Sequence, residues 1–436
     1  MDTSEIFDGL LTNLKVGDKV TTIRSRRDEI TKALNKNFRS KDACVDYKLM
    51  IGSFGRHTAI KSVSDLDMIF ILPSELRDDY SDANGPRRVL ERVRNVLSVR
   101  YPNTDIRVDQ CVVRVMFASN AFKFEVQPAF ENYDGSFDYP DTKAEGWKTT
   151  KPRAEITATT ECNDRTSTNM RHLARMARAW KNANGVNIGG LVIDTLVYNF
   201  FAQTSEYDSA GVGSFDLLSR DFFAFLMDEP ERDYYLALGS RQRVYVKAKF
   251  QAKAKKAHKR CISAIENEGK TAAVRKWREV FGVGVPSTAS VAVLAASAGN
   301  PYVGTEEFIE DRYPVDITES VSIDCEVTQD GWRPLWLRAM GRIGVPLKSG
   351  KHLKFAVTGC TVSEPYSLKW KVLNQGSEAE RRHMIRGDII DSTQPGIRKE
   401  SSTFRGEHIV ECYVVKDGIV VARDRIDVPI TTTADP

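Results

Sequence analysis

Residues 64–72, "SDLDMIFIL", restrict the fold more than any other stretch of this chain. Asp65 and Asp67 stand at the mouth of an apolar run that Pro73 stops. A short apolar run bounded by proline reads as a buried strand, here expected over about 66–72. On a strand, side chains i and i+2 leave the same face, with Cα atoms about 6–7 Å apart. Two ionised carboxylates held about 5 Å apart repel by about 3 kcal/mol at an effective dielectric near 20. Such a pair is either solvated acid at the strand mouth or one half of a cation site. Magnesium, which takes oxygen ligands and keeps part of its water, suits the second reading.

Two neighbours bear on the choice. Gly52-Ser53 precedes the pair, and glycine lets backbone approach a phosphate whose oxygens a hydroxyl and amides can hold. Glu125 interrupts the otherwise apolar "FKFEVQPAF". It is either a salt-bridged strand residue or a third acid that completes a metal site from a neighbouring strand. Rival chemistries lack their signatures: there is no Walker A loop, no HExxH, and no Ser–His or Cys–His pattern. The seven cysteines are scattered with no CxxC pair, which fits reduced thiols in a cytoplasm and offers no zinc site. No stretch reaches the roughly 18–20 uncharged apolar residues of a membrane span, and the acidic N-terminus does not read as a secretory signal. A cytoplasmic protein without membrane contact is therefore expected.

Helical spacing is expected over 18–37 and 87–101, and a basic helix over 166–181. "GGLVIDTLVYNFFAQ" (189–203) is apolar nearly all round and reads as a core helix. "TDIRVDQCVVRVMF" and "FKFEVQPAF" are strand-rich runs split by "ASNA", an expected hairpin. Residues 286–304 are small, uncharged and aperiodic, as in a linker. After them come short alternating strands, with "KDG" as a hairpin turn, so the last part reads as a separate β-sandwich.

The order of these features resembles the polymerase-β-like nucleotidyltransferases: G-S, then S-D-h-D with an apolar strand, then an acid followed by h-x-P. It runs here as Gly52-Ser53, Ser64-Asp65-Leu66-Asp67 and Glu125-Val126-Gln127-Pro128. The finer resemblance is to the bacterial CD-NTases of the SMODS group, related to cyclic GMP-AMP synthase and oligoadenylate synthase. It is carried by "GWKTTKPRAE", "NMRHLARMARAW", "GGLVIDTLVYNFF" and "AVRKWREVFGVGVP". The tail resembles AGS-C, a predicted sensor domain, in "WKVLNQGSEAE", "MIRGDI" and "GEHIVECYVV".

The resemblance implies an α+β fold: a polymerase-β-like sheet at about 45–135, a helical lobe at about 1–44 and 145–285, and a C-terminal β-sandwich-like domain at 305–436. It implies synthesis of a cyclic di- or trinucleotide from NTPs (ATP and/or GTP) with pyrophosphate release. The product would be a second messenger in anti-phage (CBASS) signalling, and a downstream effector would be reached through it rather than by contact. By position, Asp65, Asp67 and Glu125 would be catalytic and bind Mg2+, with Mn2+ as a substitute. Gly52 and Ser53 would hold the donor triphosphate, and Arg178 and Lys181 would bind nucleotide.

Three positions depart from the family pattern. The third acid is Glu rather than the Asp of many relatives, with Asp109 the alternative. Arg178 replaces a usual lysine, and Gly190 stands where a phosphate-binding serine often lies four residues before Asp194. Other readings are a linear RNA or tRNA nucleotidyltransferase, transfer to a protein or small molecule, and a catalytically degenerate nucleotide-binding sensor. Segment 241–260 carries nine Lys or Arg and no acid. Lys249, Lys253, Lys256 and Arg260 fall at helical spacing, either as a nucleic-acid face or as a solvated one.

Overall fold

A computed structural model describes the chain except residues 18, 118–121, 287–306, 329–332, 375–376, 382–386, 393, 404 and 432–436. The expected linker, apart from Pro286, and the "ASNA" turn lie outside the described residues. The chain divides into two compact units. One comprises Asp2–Ala179 and Ile188–Glu268; the other comprises Met1, Trp180–Asn187 and the described residues from 269 onward.

The first unit begins with helices α1 (Thr3–Leu14) and α2 (Lys19–Arg39), strand β1 (Lys48–Met50), the single turn α3 (Gly52–Gly55) and β2 (Asp65–Ile71). Helix α4 (Gly85–Arg100) follows, with Pro86 pre-set for its first turn and Val89, Leu90, Val93 and Leu97 buried along one stripe. Strands β3 (Asp105–Asp109), β4 (Val112–Met116), β5 (Lys123–Glu131), β6 (Phe137–Asp141) and β7 (Gly146–Thr150) complete the sheet. Its order is β1-β2-β5-β4-β3, with β6 on β5 and β7 on β6. Within this sheet, among the described residues, only β2 and β5 run parallel; β4 and β5 are antiparallel, as the hairpin reading requires.

One face of this sheet is dry. Leu66, Met68 and Phe70 of β2 and Phe124 and Val126 of β5 pack with the α2 and α4 stripes into one core. A fully buried Val, Leu or Phe contributes about 1.5–3 kcal/mol relative to exposure. Because side chains alternate, Asp65, Asp67 and Glu125 are left on the opposite face. The rest of the unit is helical: α5 (Pro152–Arg165), the first turns of α6 (Asn169–Ala183), α7 (Gly190–Gln203), α8 (Phe215–Asp228) and α9 (Gln251–Ile265), with the small hairpin β8 (Tyr234–Leu236) and β9 (Arg243–Tyr245). Helix α7 buries Val192, Ile193, Leu196, Val197, Phe200 and Phe201, as its all-round apolarity indicates.

The second unit holds α10 (Thr271–Phe281) and two sheets. Helix α10 falls within this unit. Asn184 Nδ2 donates to Val280 O at 2.8 Å, which ties α10 to the end of α6. The four-stranded sheet uses β10 (Val321–Thr328), β11 (Leu335–Trp336), β13 (His352–Cys360) and β16 (Ile397–Ser401). The five-stranded sheet uses β12 (Leu347–Lys348), β14 (Ser367–Leu373), β15 (Ile389–Asp391), β17 (Gly406–Lys416) and β18 (Ile419–Thr431). Ile323, Cys325 and Phe355 from one sheet share a core with Trp370, Cys412 and Val428 from the other, which makes this a sandwich. The β17–β18 turn places Asp417 and Gly418 at φ +50° and +74°, the left-handed pair a tight hairpin needs.

Candidate active site

The GS segment is fixed to β2. Ile51 N–H donates to Asp67 O at 2.9 Å, and the chain then turns through Gly52 at φ +61°. A Cβ at Gly52 would overlap Asp67 Oδ2 and lie 2.9 Å from its Cγ, so any other residue must displace that carboxylate. Ser53 O accepts from Thr58 and Ala59 N–H at 2.9 and 3.1 Å, folding residues 53–59 back on themselves. Gly52, Ser53 and Asp67 are thereby brought together.

The acid face follows from strand register. Asp65 pairs with Lys123 and Asp67 with Glu125 in the parallel β2–β5 ladder, while Arg114 lies opposite Glu125 on β4. Paired residues project to the same side, so all five side chains share one surface. Lys123 Nζ lies 3.2 Å from Asp65 Oδ1 and 3.6 Å from Glu125 Oε1. Arg114 Nε donates to Glu125 Oε1 at 3.0 Å, and its Nη2 lies 2.6 Å from Asp109 Oδ2 on β3. Four carboxylates and two cations leave these six side chains with a net charge of minus two.

The donor chemistry fits a hard divalent ion at Asp65 and Asp67, two carboxylates on one face with the Gly52 turn close against the second. Glu125, on the same face, is held by Arg114 and Lys123. Among the described residues, no three His, Cys, Asp or Glu side chains converge as metal ligands. The place between Asp65 and Glu125 is bridged by Lys123 instead.

Arg178 lies in a second cluster. Its Nη1 and Nη2 donate to Asp194 Oδ1 and Oδ2 at 2.7 and 2.8 Å, and Nη2 also reaches Gly190 O at 3.0 Å. Arg56, just past the GS segment, donates through Nε to Asp194 Oδ2 at 2.8 Å and pairs through Nη1 with Glu155 at 3.1 Å. Thr58 Oγ1 adds a bond to Asp194 at 3.1 Å. All of these side chains are buried. Burial works to raise the Asp194 pKa, but Arg178 and then Arg56 outweigh it and hold the carboxyl below its usual range. Burial dominates at Glu155 and raises its pKa despite Arg56.

Two departures from the family pattern meet here. A Cβ at Gly190 would touch Arg178 Nη2 at 3.4 Å, so the guanidinium occupies the space beside the glycine. Lys181 does not join this cluster. It is buried, with Nζ 2.9 Å from Asp316 Oδ1 in the second unit.

Lys249 is not on the α9 face that its spacing implied. The helix begins only at Gln251, after the buried Phe250, and Lys249 pairs with Glu231 at 2.5 Å. Helix α9 packs through Ala254, Ala257, Cys261 and Ala264, leaving Lys255, Lys256 and Lys259 exposed.

Sequence reasoning missed Lys123, Arg114 and Arg56. Lys123 stands two residues before Glu125, and the same-face rule applied to the aspartates would have found it. Arg114 alternates with buried valines in the same way. Arg56 left no signal, because its partners are distant in sequence.

An acid-bearing mixed sheet with a glycine turn against its second aspartate, joined to a helical lobe, defines a nucleotidyltransferase fold. Residues 1–163 match the model of the Second Messenger Oligonucleotide or Dinucleotide Synthetase domain, and residues 304–431 that of the Adenylyl/Guanylyl and SMODS C-terminal sensor domain. The chain thus carries a SMODS domain followed by an AGS-C domain, in the order that its sequence resemblance to the CD-NTases implies.

A probable cyclic nucleotide synthase of Bacillus cereus strain VD146 is 26% identical over 180 residues, 34% of this chain. The match spans 54% of that relative, about half its length. Among solved structures, E. coli MS115-1 CdnC with ATP aligns at a TM-score of 0.50 and 14% identity, over 66% of this chain and 99% of that one. The E. coli CdnC:HORMA-deltaN complex gives 0.51 and 13% over the same shares. These structural likenesses bear on fold alone. Among the described residues, no helix is long and apolar enough to cross a membrane.

Proposed function

We propose that this chain is a cyclic oligonucleotide synthase that joins NTPs, ATP and/or GTP, into a cyclic di- or trinucleotide. Its product serves as a second messenger in bacterial anti-phage (CBASS) signalling, acting on an effector that this chain does not itself contact. The observation that carries the reading is the close approach of Gly52 to Asp67, with Asp65 and Glu125 on the same sheet face. The relative in B. cereus, named a probable cyclic nucleotide synthase, supports it.

The donor triphosphate lies along Gly52–Ser53, where backbone and hydroxyl hold its oxygens. Asp65 and Asp67 would hold magnesium or manganese, which when bound would offset phosphate charge and lower the pKa of the acceptor hydroxyl. That hydroxyl attacks the α-phosphorus; the new P–O bond forms as the α–β bridging bond breaks. Pyrophosphate leaves and the hydroxyl proton passes to water. A second transfer in the same site closes the ring. Arg178 acts through Asp194 and Arg56, which sits next to the phosphate-holding turn. Seven free cysteines and the need for NTPs favour a cytoplasmic setting.

Labelled NTPs incubated with the full chain and Mg2+ or Mn2+, then treated with phosphatase, test the reading. Phosphatase-resistant small products are expected. Linear products or a labelled macromolecule would instead assign a different transferase. A nucleotide-binding sensor without turnover is the second reading, favoured by the grip of Arg114 and Lys123 on Glu125. Nucleotide binding without conversion would establish it.

A further inference from the structure

We propose that Lys123 is a built-in counter-cation that competes with the divalent ion for Asp65 and Glu125, so that loading the site displaces its ammonium. This rests on the reading in which Asp65 and Asp67 bind the metal.

The register places Lys123 there by construction. It is the β5 residue directly beside Asp65 in the parallel ladder, and its N–H donates to Ser64 O at 2.8 Å. Its side chain spans the gap from Asp65 Oδ1, at 3.2 Å, to Glu125 Oε1, at 3.6 Å. The Lys123 and Glu125 side chains are only 18% exposed and that of Asp65 30%, so solvent screens the three charges incompletely. A lysine suits a displaceable role: it is a point charge on a flexible four-carbon stem, without the fixed fork of arginine. Arg114, which binds Glu125 and Asp109 together, is the more rigid holder.

The grip on Glu125 bears on the same exchange. Its carboxylate is turned to two cations of the chain itself, and it can join Asp65 and Asp67 only when Lys123 gives way. A singly charged ammonium and a doubly charged ion repel each other and seek the same oxygens, so removing the first strengthens binding of the second.

The test is Mn2+ binding to the full chain without nucleotide, read from the loss of the free-ion paramagnetic resonance signal. Lys123→Met is expected to bind Mn2+ at least about tenfold more tightly than wild type. Lys123→Arg, which keeps the charge, is expected to bind no more tightly than wild type. A larger Mn2+-induced rise in melting temperature for Lys123→Met is the second readout, and it also reports whether that variant folds. Wild-type affinity in Lys123→Met, or weaker, overturns the proposal. The underlying reading is checked separately: if Asp65→Asn with Asp67→Asn binds Mn2+ as wild type does, the metal assignment fails whatever Lys123 does.

Discussion

Arg178 holds Asp194 with two nitrogens, Nη1 to Oδ1 at 2.7 Å and Nη2 to Oδ2 at 2.8 Å, where the carboxylate is wholly buried. Arg56 shares the same carboxylate, so one acid fixes two arginines. Breaking a buried pair by removing one charge costs about 3–5 kcal/mol, because the remaining charge stays desolvated. Asp194→Asn is expected to destabilise the first unit by about that amount, measured as a lowered denaturant midpoint. Arg178→Lys, which keeps the charge and loses the fork, is expected to cost less, about 1–2 kcal/mol. A wild-type midpoint for Asp194→Asn contradicts this account.

The acid face is expected to respond differently. Asp65 and Asp67 stand on a partly exposed face rather than in the core, so Asp65→Asn with Asp67→Asn should leave the melting temperature within a few degrees of wild type. Nucleotide conversion should fall below detection, because the oxygens that hold the cation are gone. Product formation at the wild-type rate ends the mechanism proposed for this face.

Much of the sheet was legible because alternation is a local property. Leu66, Met68 and Phe70 against Asp65 and Asp67 declare two faces within seven residues. What local pattern does not carry is which strand lies beside which. The parallel β2–β5 ladder brings Lys123 to Asp65 across 58 positions, and that pairing creates the charge bridge. Similarly, "NMRHLARMARAW" reads as a basic helix, yet Arg178 is neutralised by Asp194 from α7 and Lys181, at its far end, by Asp316 of the same second unit. Strands β6 and β7 were unread because they are short and carry Pro140 and Gly146, which interrupt the strand pattern.

Helix α9 gives a test in solution. Lys255, Lys256 and Lys259 are exposed opposite the alanines that pack it. If this face meets nucleic acid, affinity for a duplex probe should fall steeply between about 50 and 200 mM salt. Replacing the three lysines by Glu should abolish it. No wild-type binding at about 50 mM salt would leave a solvated helix face.

Gly52→Ala should be costly beyond its size. The residue sits at φ +61°, where a non-glycine residue loses about 1–2 kcal/mol. The added Cβ must also push the Asp67 carboxylate aside. A displacement near 1 Å at a reacting centre costs on the order of a hundredfold in rate. Nucleotide turnover should therefore drop by about that factor while the fold persists with a modestly lowered melting temperature. Near-wild-type turnover would separate Asp67 placement from the chemistry.

The second unit should carry a distinct acid sensitivity centred on Glu411. Its Oε1 accepts from Arg423 Nη2 at 2.8 Å and its Oε2 from Tyr413 Oη at 2.6 Å, with Lys371 Nζ at 3.9 Å. Burial works to raise its pKa, but Arg423 and then Lys371 overcome it and draw the carboxyl from 4.5 down to about 2. The folded value lies below the unfolded one, so the stabilisation is complete above pH 4.5 and is lost as pH falls towards about 2. Glu411→Gln removes this contribution at every pH and leaves the buried Arg423 with Glu310 as its carboxylate partner, 3.0 Å away. Near neutrality the variant should therefore melt well below wild type. Between pH 4.5 and about 2 the two melting temperatures should converge, because wild type gives up the same interaction by protonation. A gap that stays constant across that window would place the stabilising role of Glu411 in packing and neutral hydrogen bonding rather than in its charge.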